Sequence, residues 1–337
     1  MALDTPVLDQ TDGRLRAVWH PVALSSEVGA QPMGVMLLGE GWVLTRLNGG
    51  IQAFRDRCPH RLAPLSAGGV VNDELQCGYH GWRFDHTGMC TEIPALGPGA
   101  ALPSRAQLSI AFGVCERAGI VWLAVEEPLI GLPEVNQEHN PEFRFGALEP
   151  METQASAGAL IDNFCDVAHF GFLHRGTIGT GSALVVDEVR TELTDDGWVV
   201  TSVDNQMFAN REDPGVAAGL RPELQHRTAT YQYRVPFTAT LRLEYVDAGG
   251  ENFIVFAVQP QTATQCRVYT VLYRNDIASD EAMQESVGFE QRVLAEDLAF
   301  QARGHAPFPL SIRAELHTRA DRLTLEIRRV LIRLLLS

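Results

Sequence analysis

The sequence predicts an α+β protein of two domains, on three observations. A chain of 337 residues is too long for one small core and about the length of two domains. Up to about Glu127 the pattern is one of short apolar runs cut by turn residues. Beyond that point, strand-like segments from about Ala183 to Tyr273 are flanked by segments of helical period, so helices segregate against a sheet. The expected boundaries are 1–130 for an all-β domain and 131–337 for the α+β domain.

The elements follow in order. "VMLLGEGWVLTRL", "NGG" and "IQAFRDR" read as strand, strand, tight turn, strand, and "HTG" and "GIVWLAV" continue the β pattern. "EEPLIGLPEVNQEHNPEF" is weakly patterned, contains Pro and reads as an interdomain link. A helical segment is expected over 160–174, followed by "GTIGTGS", a flexible Gly-rich loop. The strands after it are broken at "TDDG" and "DAGGEN", and helical period returns over 279–303 and 314–336.

The bulk numbers exclude several classes. A formal net charge of -15 repels nucleic acid and anionic membranes alike. "MALDTPVLDQTDGR" has neither a basic start nor an apolar core, so no secretory signal is expected, and "VLIRLLLS" is far too short to span a bilayer. Six cysteines in so long a chain do not form a disulfide-rich pattern, and a reducing, cytoplasmic protein is expected. "GTIGTGS" has the wrong glycine spacing for a dinucleotide turn, and no all-Cys ferredoxin motif is present, so electrons for any redox chemistry must come from a separate protein.

Two constellations carry chemistry. In "CPHRLAPLSAGGVVNDELQCGYH", Cys58-x-His60 is separated by sixteen residues from Cys77-x-x-His80. Zinc accepts two Cys and two His, but its paired ligands usually stand two to five residues apart, and the one-residue gap fits poorly. The spacing fits a Rieske [2Fe-2S] cluster, in which two His replace two Cys on one iron and raise its potential by hundreds of millivolts. Arg55, Arg57, Arg61 and Arg83 surround these ligands in an otherwise acidic chain, either as a rim that steers an acidic redox partner or as solvated cover.

In "DNFCDVAHFGFLH", Asp162, Asp166 and His169 stand at i, i+4 and i+7, on one face of a helix. His174 follows five residues after His169, a step that a π-turn would bring back onto that face, with Gly171 easing the distortion. Two imidazoles suit a first-row metal, and the set lacks only a carboxylate. Asp297 in "ESVGFEQRVLAEDLAFQARG" shares an apolar side with Val293 and Leu294, where an acid is costly unless paired. Glu296 and Glu290 are close enough in the helix that periodicity alone does not choose. Two His and one carboxylate form the facial triad of non-haem Fe(II) oxygenases, with open positions for dioxygen.

On the block from Cys58 to Asp85, on "IDNFCDVAHFGFLH" and on "EDLAFQ", the chain resembles the oxygenase component of the Rieske non-haem iron oxygenases over nearly its whole length. The resemblance implies a Rieske domain followed by a helix-grip catalytic domain. It also implies a mononuclear iron on His169, His174 and Asp297, and a head-to-tail homotrimer in which Asp166 bridges His169 to His80 of a neighbouring subunit. Electrons would arrive from NAD(P)H through a separate reductase, with or without a ferredoxin, and dioxygen would be co-substrate. The compact chain, "WHPV", "RDRCPH" and "ADRLTLEIRRVL" are similar to the homotrimeric monooxygenases and demethylases that act on N- or O-methyl groups of small aromatic or heterocyclic substrates. A hydroxylase tailoring a natural product is the alternative, and a Rieske protein that only transfers electrons is a third. Cys90, Cys115, Cys165 and Cys266 are expected to be buried small hydrophobes, and His20 structural. His86, His139, His226, His305 and His317 lack a partner spacing.

Overall fold

The computed structural model describes residues 6–175, 177–178, 185–186, 189–209, 216, 219–220, 222–303 and 308–336. Most of the Gly-rich stretch at 176–182 and His305 lie outside the described residues. The chain forms two compact units, Thr11–Gly131 with Gln259–Ala263, and Met1–Gln10 with Leu132–Val258 and Thr264–Ser337. The expected division at 130/131 thus differs in two small exchanges. Residues near the start join the C-terminal half because Leu8 N–H donates to Phe308 O and Leu310 N–H to Pro6 O. The turn at 259–263 joins the N-terminal half because Leu38 and Gly39 N–H donate to Pro260 and Gln261 carbonyls.

The first unit is built from small antiparallel sheets. One has the order β1-β10-β9 (β1 His20–Leu24, β9 Gly113–Arg117, β10 Ile120–Ala124) and another β2-β3-β4 (β2 Met33–Leu37, β3 Glu40–Leu47, β4 Gly50–Arg55). The third is β5-β6-β7-β8 (β5 Gly69–Val71, β6 Glu74–Gln76, β7 Arg83–Phe84, β8 Cys90–Glu92). Its hairpins turn on residue pairs with positive φ: Leu38 and Gly39, Asn48 and Gly49, Asn72 and Asp73, Ala118 and Gly119. Such turns carry the twist of the flanking strands, which explains "NG" at 48–49. The core gathers Val43, Leu47, Phe54, Leu65, Leu75, Phe84 and Leu108 around Cys58 and Cys77.

The second unit holds one eight-stranded sheet. Its order is β11-β18-β17-β16-β15-β14-β13, with β12 also paired to β18. These strands are β11 Arg144–Ala147, β12 Met151–Thr153, β13 Arg190–Leu193, β14 Val199–Ala209, β15 Leu224–Arg234, β16 Thr238–Tyr245, β17 Glu251–Thr262 and β18 Gln265–Arg274. The α-helices whose bounds lie among the described residues are α1 Ala157–Cys165, α2 Phe170–Leu173, α3 Asp280–Gln301 and α4 Arg322–Leu336. Helix α3 starts on Ser279, whose hydroxyl accepts from Ala282 N–H, with Asp280 and Glu281 favourably placed in its first turn. Phe164 of α1 stacks on Phe256 of β17, centroids 4.5 Å apart, and seats α1 on the sheet.

One expectation is corrected here. The segment 160–174 is not a single helix with a π-turn. It stops at Cys165, Asp166 is extended at φ -93 ψ 123, and a second short helix begins after His169. Asp162 and His169 therefore do not share a helix face. Cys90, Cys165 and Cys266 are buried, whereas Cys115 is only partly so.

His20 is fully buried, with Nε2 2.8 Å from Leu15 O, and burial pushes its pKa down to about 4. Its folded pKa lies below its unfolded value, so its contribution is intact above about pH 6.5 and is lost as pH falls towards 4. A His20→Asn variant is expected to be less stable at pH 7.5. In denaturant titrations the gap should narrow by about 2 kcal/mol by pH 5, since only the parent must then bury a protonating imidazole. A gap independent of pH would contradict this.

Candidate metal centres

Cys58 and His60 lie on the loop after β4, and Cys77 and His80 on the loop between β6 and β7. The two loops use one hydrogen-bond pattern. Each Cys carbonyl accepts from the amide four residues on (Leu62 and Gly81), and each Cys N–H donates to the carbonyl five residues on (Ala63 and Trp82). The closing residues, Leu62 and Gly81, both have positive φ, at 62° and 73°. The loops sit against each other on glycine. A Cβ on Gly68 would stand 2.0 Å from Gln76 O, and one on Gly78 2.6 Å from Ala67 O.

The four side chains come together with the thiols inside and the imidazoles outside. Cys58 and Cys77 are each 2% exposed, while the rings of His60 and His80 lie 4.5 Å apart. Trp82 stacks on His60 at 4.7 Å, a role for the tryptophan of "YHGW". Burial pushes the Cys58 thiol up to about 11, with the amides of His60 and Arg61 pulling the other way and Cys77 adding to the rise. Bound metal would reverse this by deprotonating the thiols. His60 Nδ1 is buried with no hydrogen-bond partner among the described residues, as a metal-directed nitrogen would be. Two buried thiols, two imidazoles and an orphaned nitrogen fit a [2Fe-2S] group with mixed ligation. Of the four arginines around this site, Arg55 is ion-paired with Glu40 and Arg83 with Glu92, while Arg57 and Arg61 are exposed. Half of the expected basic rim is thus neutralised within the chain.

The second centre is assembled by the break at Asp166. Asp166 Oδ1 accepts from Ala168 N–H and caps the turn that leads into α2, leaving His169 and His174 at the two ends of that helix. Both imidazoles then point at α3. His169 Nε2 is 3.1 Å from His174 Nε2 and 3.5 Å from Asp297 Oδ1, and His174 Nε2 is 3.1 Å from the same oxygen. Three donors at about 2.1 Å from one ion and at right angles would be about 3.0 Å apart, so the trio fits a facial set. Asp297, not Glu296 or Glu290, is the carboxylate that faces the Nε2 atoms of both histidines.

The surrounding residues hold this trio in place. Glu296 Oε2 accepts from His174 Nδ1 at 2.7 Å, which fixes the tautomer that turns Nε2 inward. Asn163 Nδ2 donates to Asp297 Oδ1 at 2.8 Å, and Gln301 donates to Asn163. Asp166 Oδ2 faces His169 Nδ1 at 3.5 Å, an ion-pair contact longer than a hydrogen bond. Burial alone would lower His169, but Asp166 and Asp297 outweigh it and hold its pKa up to about 9. Asp297 resists burial and falls to about 2 because His169, His174 and Asn163 all favour its anion. Metal binding here must displace protons. Asp162, one turn before the site, is ion-paired with the buried Arg328, which also holds Glu315.

Two cavities meet the trio. One of about 730 Å³ lies on the Asp166 side, against Asp162, Phe172 and Phe308. A smaller one of about 80 Å³ lies on the Nε2 side, walled by Phe164, Leu241, Leu243, Ile254, Val293 and Arg227. Glu296 and Asn163 as supports, and Arg227 as a wall, were not among the residues expected from sequence. Arg227 was legible in principle, since it stands in phase with Tyr231 and Tyr233 along β15.

The Rieske [2Fe-2S] domain family matches residues 18–108, and the vanillate O-demethylase oxygenase C-terminal domain family matches residues 153–337. The methylxanthine N3-demethylase NdmB of Pseudomonas putida is 30% identical over 328 residues, 94% of this chain and 88% of that one. The dicamba O-demethylase oxygenase component of Stenotrophomonas maltophilia is 33% identical over 176 residues, 49% of each chain. Among solved structures, NdmB of Pseudomonas putida CBB5 superposes with a TM-score of 0.81 at 27% identity, over 96% of this chain and 92% of that one.

Removing the carboxylate behind His174 tests the arrangement. Glu296→Gln is expected to weaken Fe(II) binding by about 10- to 100-fold in anaerobic equilibrium titration, with the visible spectrum of the cluster unchanged. Unaltered Fe(II) affinity would show that Glu296 does not orient the imidazole.

Proposed function

The chain belongs to the Rieske oxygenases whose catalytic domain is of the vanillate O-demethylase type, and from that premise we propose that its substrate is a small aromatic or heterocyclic compound carrying an N- or O-methyl group. It is the terminal oxygenase of a multicomponent system, using dioxygen and electrons supplied by a separate reductase. The observation that carries the reading is the trio of His169, His174 and Asp297 in the same chain as Cys58, His60, Cys77 and His80. The first three would hold the mononuclear iron and the other four the [2Fe-2S] cluster. When bound, the cluster supplies electrons one at a time and the iron supplies activation of dioxygen.

The chain's own residues do the rest. Phe164, Leu241, Leu243, Ile254 and Val293 give the cavity apolar walls that accept a ring and exclude water. Hydroxylation of an N- or O-methyl carbon gives a hemiaminal or hemiacetal that releases formaldehyde, so hydroxylation and demethylation are one chemistry on different carbons. Two of the relatives are named for removing methyl from nitrogen and from oxygen.

The working assembly is a homotrimer in which Asp166 connects His169 to His80 of a neighbouring subunit. Two features support it: Asp166 lies in the wall of the 730 Å³ concavity, and His80 is exposed beside Tyr79, itself 65% exposed. A carboxylate behind His169 Nδ1 orients that ring and offers a path for an electron with its proton. No helix of the described residues is long and apolar enough to cross a membrane. None of the six cysteines is paired in a disulfide, which supports the expected reducing, cytoplasmic setting.

Protein purified without oxygen is expected to carry about three irons and two sulfides per chain, with a Rieske EPR signal after reduction. With a reductase it should consume oxygen and release formaldehyde from methylated aromatics or heterocycles. Two irons that do not rise on adding Fe(II) would leave an electron-transfer protein instead. Asp166→Asn is expected to keep both metal centres and lose turnover. Normal coupled product formation by that variant would remove Asp166 from the path.

A further inference from the structure

Arg227 is 6% exposed and stands on the helix-facing side of β15, where the alternation otherwise places Ala229, Tyr231 and Tyr233. It lines both the 80 Å³ cavity at the metal trio and a neighbouring one of about 250 Å³, which share Phe170, Ile178 and Arg227 as a common wall. Its guanidinium lies over the Phe208 ring at 4.4 Å, and its Nε–H donates to Gln206 Oε1 at 3.0 Å. Among the described residues no carboxylate is ion-paired with it, although Asp204 and Glu290 line the same cavities.

Other buried arginines in this unit are answered from within the chain. Arg274 pairs with Asp276, and Arg328 with Asp162 and Glu315. Burying a guanidinium without a carboxylate paired to it is costly, and the hydrogen bond to Gln206 and the Phe208 ring offset only part of that cost. Its planar fork matches a carboxylate through two parallel charge-assisted hydrogen bonds, whereas a neutral carbonyl offers a weaker partner.

Resting on the oxygenase reading above, we propose that Arg227 is the specificity-determining residue of this site, and that it selects methyl-bearing aromatic substrates with a carboxylate on the ring. The anion would sit at the shared wall of the two cavities, and the ring would extend from there between Leu241, Leu243 and Val293 towards the metal trio.

The test uses the iron-loaded full chain without oxygen, titrated calorimetrically with 3-methoxybenzoate and with the matched neutral 3-methoxybenzamide. The parent is expected to bind the acid at least about tenfold more tightly, the difference a charged hydrogen bond makes over a neutral one. In Arg227→Met the ratio of acid to amide affinity should fall to near one, and in Arg227→Lys it should stay clearly above one. If Arg227→Met loses its circular dichroism spectrum, Arg227→Gln carries the same test. Equal affinities in the parent, no binding of either compound, or an acid preference that survives Arg227→Met or Arg227→Gln would each overturn the inference. Formaldehyde release separates the two readings. Demethylation of the amide without acid preference keeps the oxygenase and removes the role of Arg227. An Arg227-dependent acid preference without formaldehyde from either compound keeps the anion site and removes the demethylase.

Discussion

His169, His174 and Asp297 face each other at 3.1–3.5 Å, and the contact is mutually favourable as long as a proton remains: Asp297 and Asp166 hold the His169 pKa up to about 9, and both imidazoles favour the Asp297 anion. The neighbourhood is shaped to hold that meeting. The helix that carries Asp162 ends where Asp166 becomes extended, a four-residue helix follows, and its two ends present the histidines. Glu296 and Asn163 then each spend a hydrogen bond on orienting a donor of the trio. The proton held among these groups is what a metal ion would displace, and so the site is best understood as a chelate preformed by packing.

The two centres reach their geometry by opposite routes. The Cys/His centre is local: two short loops of one hydrogen-bond pattern, closed by positive φ at Leu62 and Gly81, bring four ligands together within a few strands. Their thiols belong to the core of the small β unit, so the ligands and the fold of that unit are the same object. The second centre is non-local. His174 and Glu296 are 122 residues apart, and their meeting requires the six strands β13 to β18 that lie between α2 and α3 in the chain. A change in sheet packing would therefore reach the second centre before the first.

The walls of the catalytic cavity follow from strand alternation. Side chains on one face of β15, β16 and β17 share a register, in which Ala229 opposes Leu243, and Leu241 opposes both Tyr231 and Ile254. That face is largely apolar, with Gln225, Arg227 and Asn252 as buried polar residues on it and Arg227 as their cation. In a chain with net charge -15, one cation at the edge of an apolar pocket changes what the pocket can hold far more than any arginine on the surface would.

The sequence by itself determined the residue types and spacings of both centres. Cys58-x-His60, Cys77-x-x-His80 and the two histidines of "DVAHFGFLH" are short-range patterns, and short-range patterns are written directly in the chain. It determined the turns as well, since "NG" at 48–49 needs positive φ at both residues. Other features belonged to the tertiary structure. Helical period left Glu290, Glu296 and Asp297 as equals, and the angle at which α3 meets α2 made one the carboxylate at the trio and another a support for His174. Periodicity also joined 160–174 into one helix, because Asp166 and Ala168 do not reveal that a side chain will cap a backbone amide there and end it. The pairing of Arg55 and Arg83 with acids on other strands, and the lack of such a pairing for Arg227 among the described residues, are likewise contacts between distant segments. The interaction of a charge with its surroundings depends on distance in space, and spacing along the chain does not encode it.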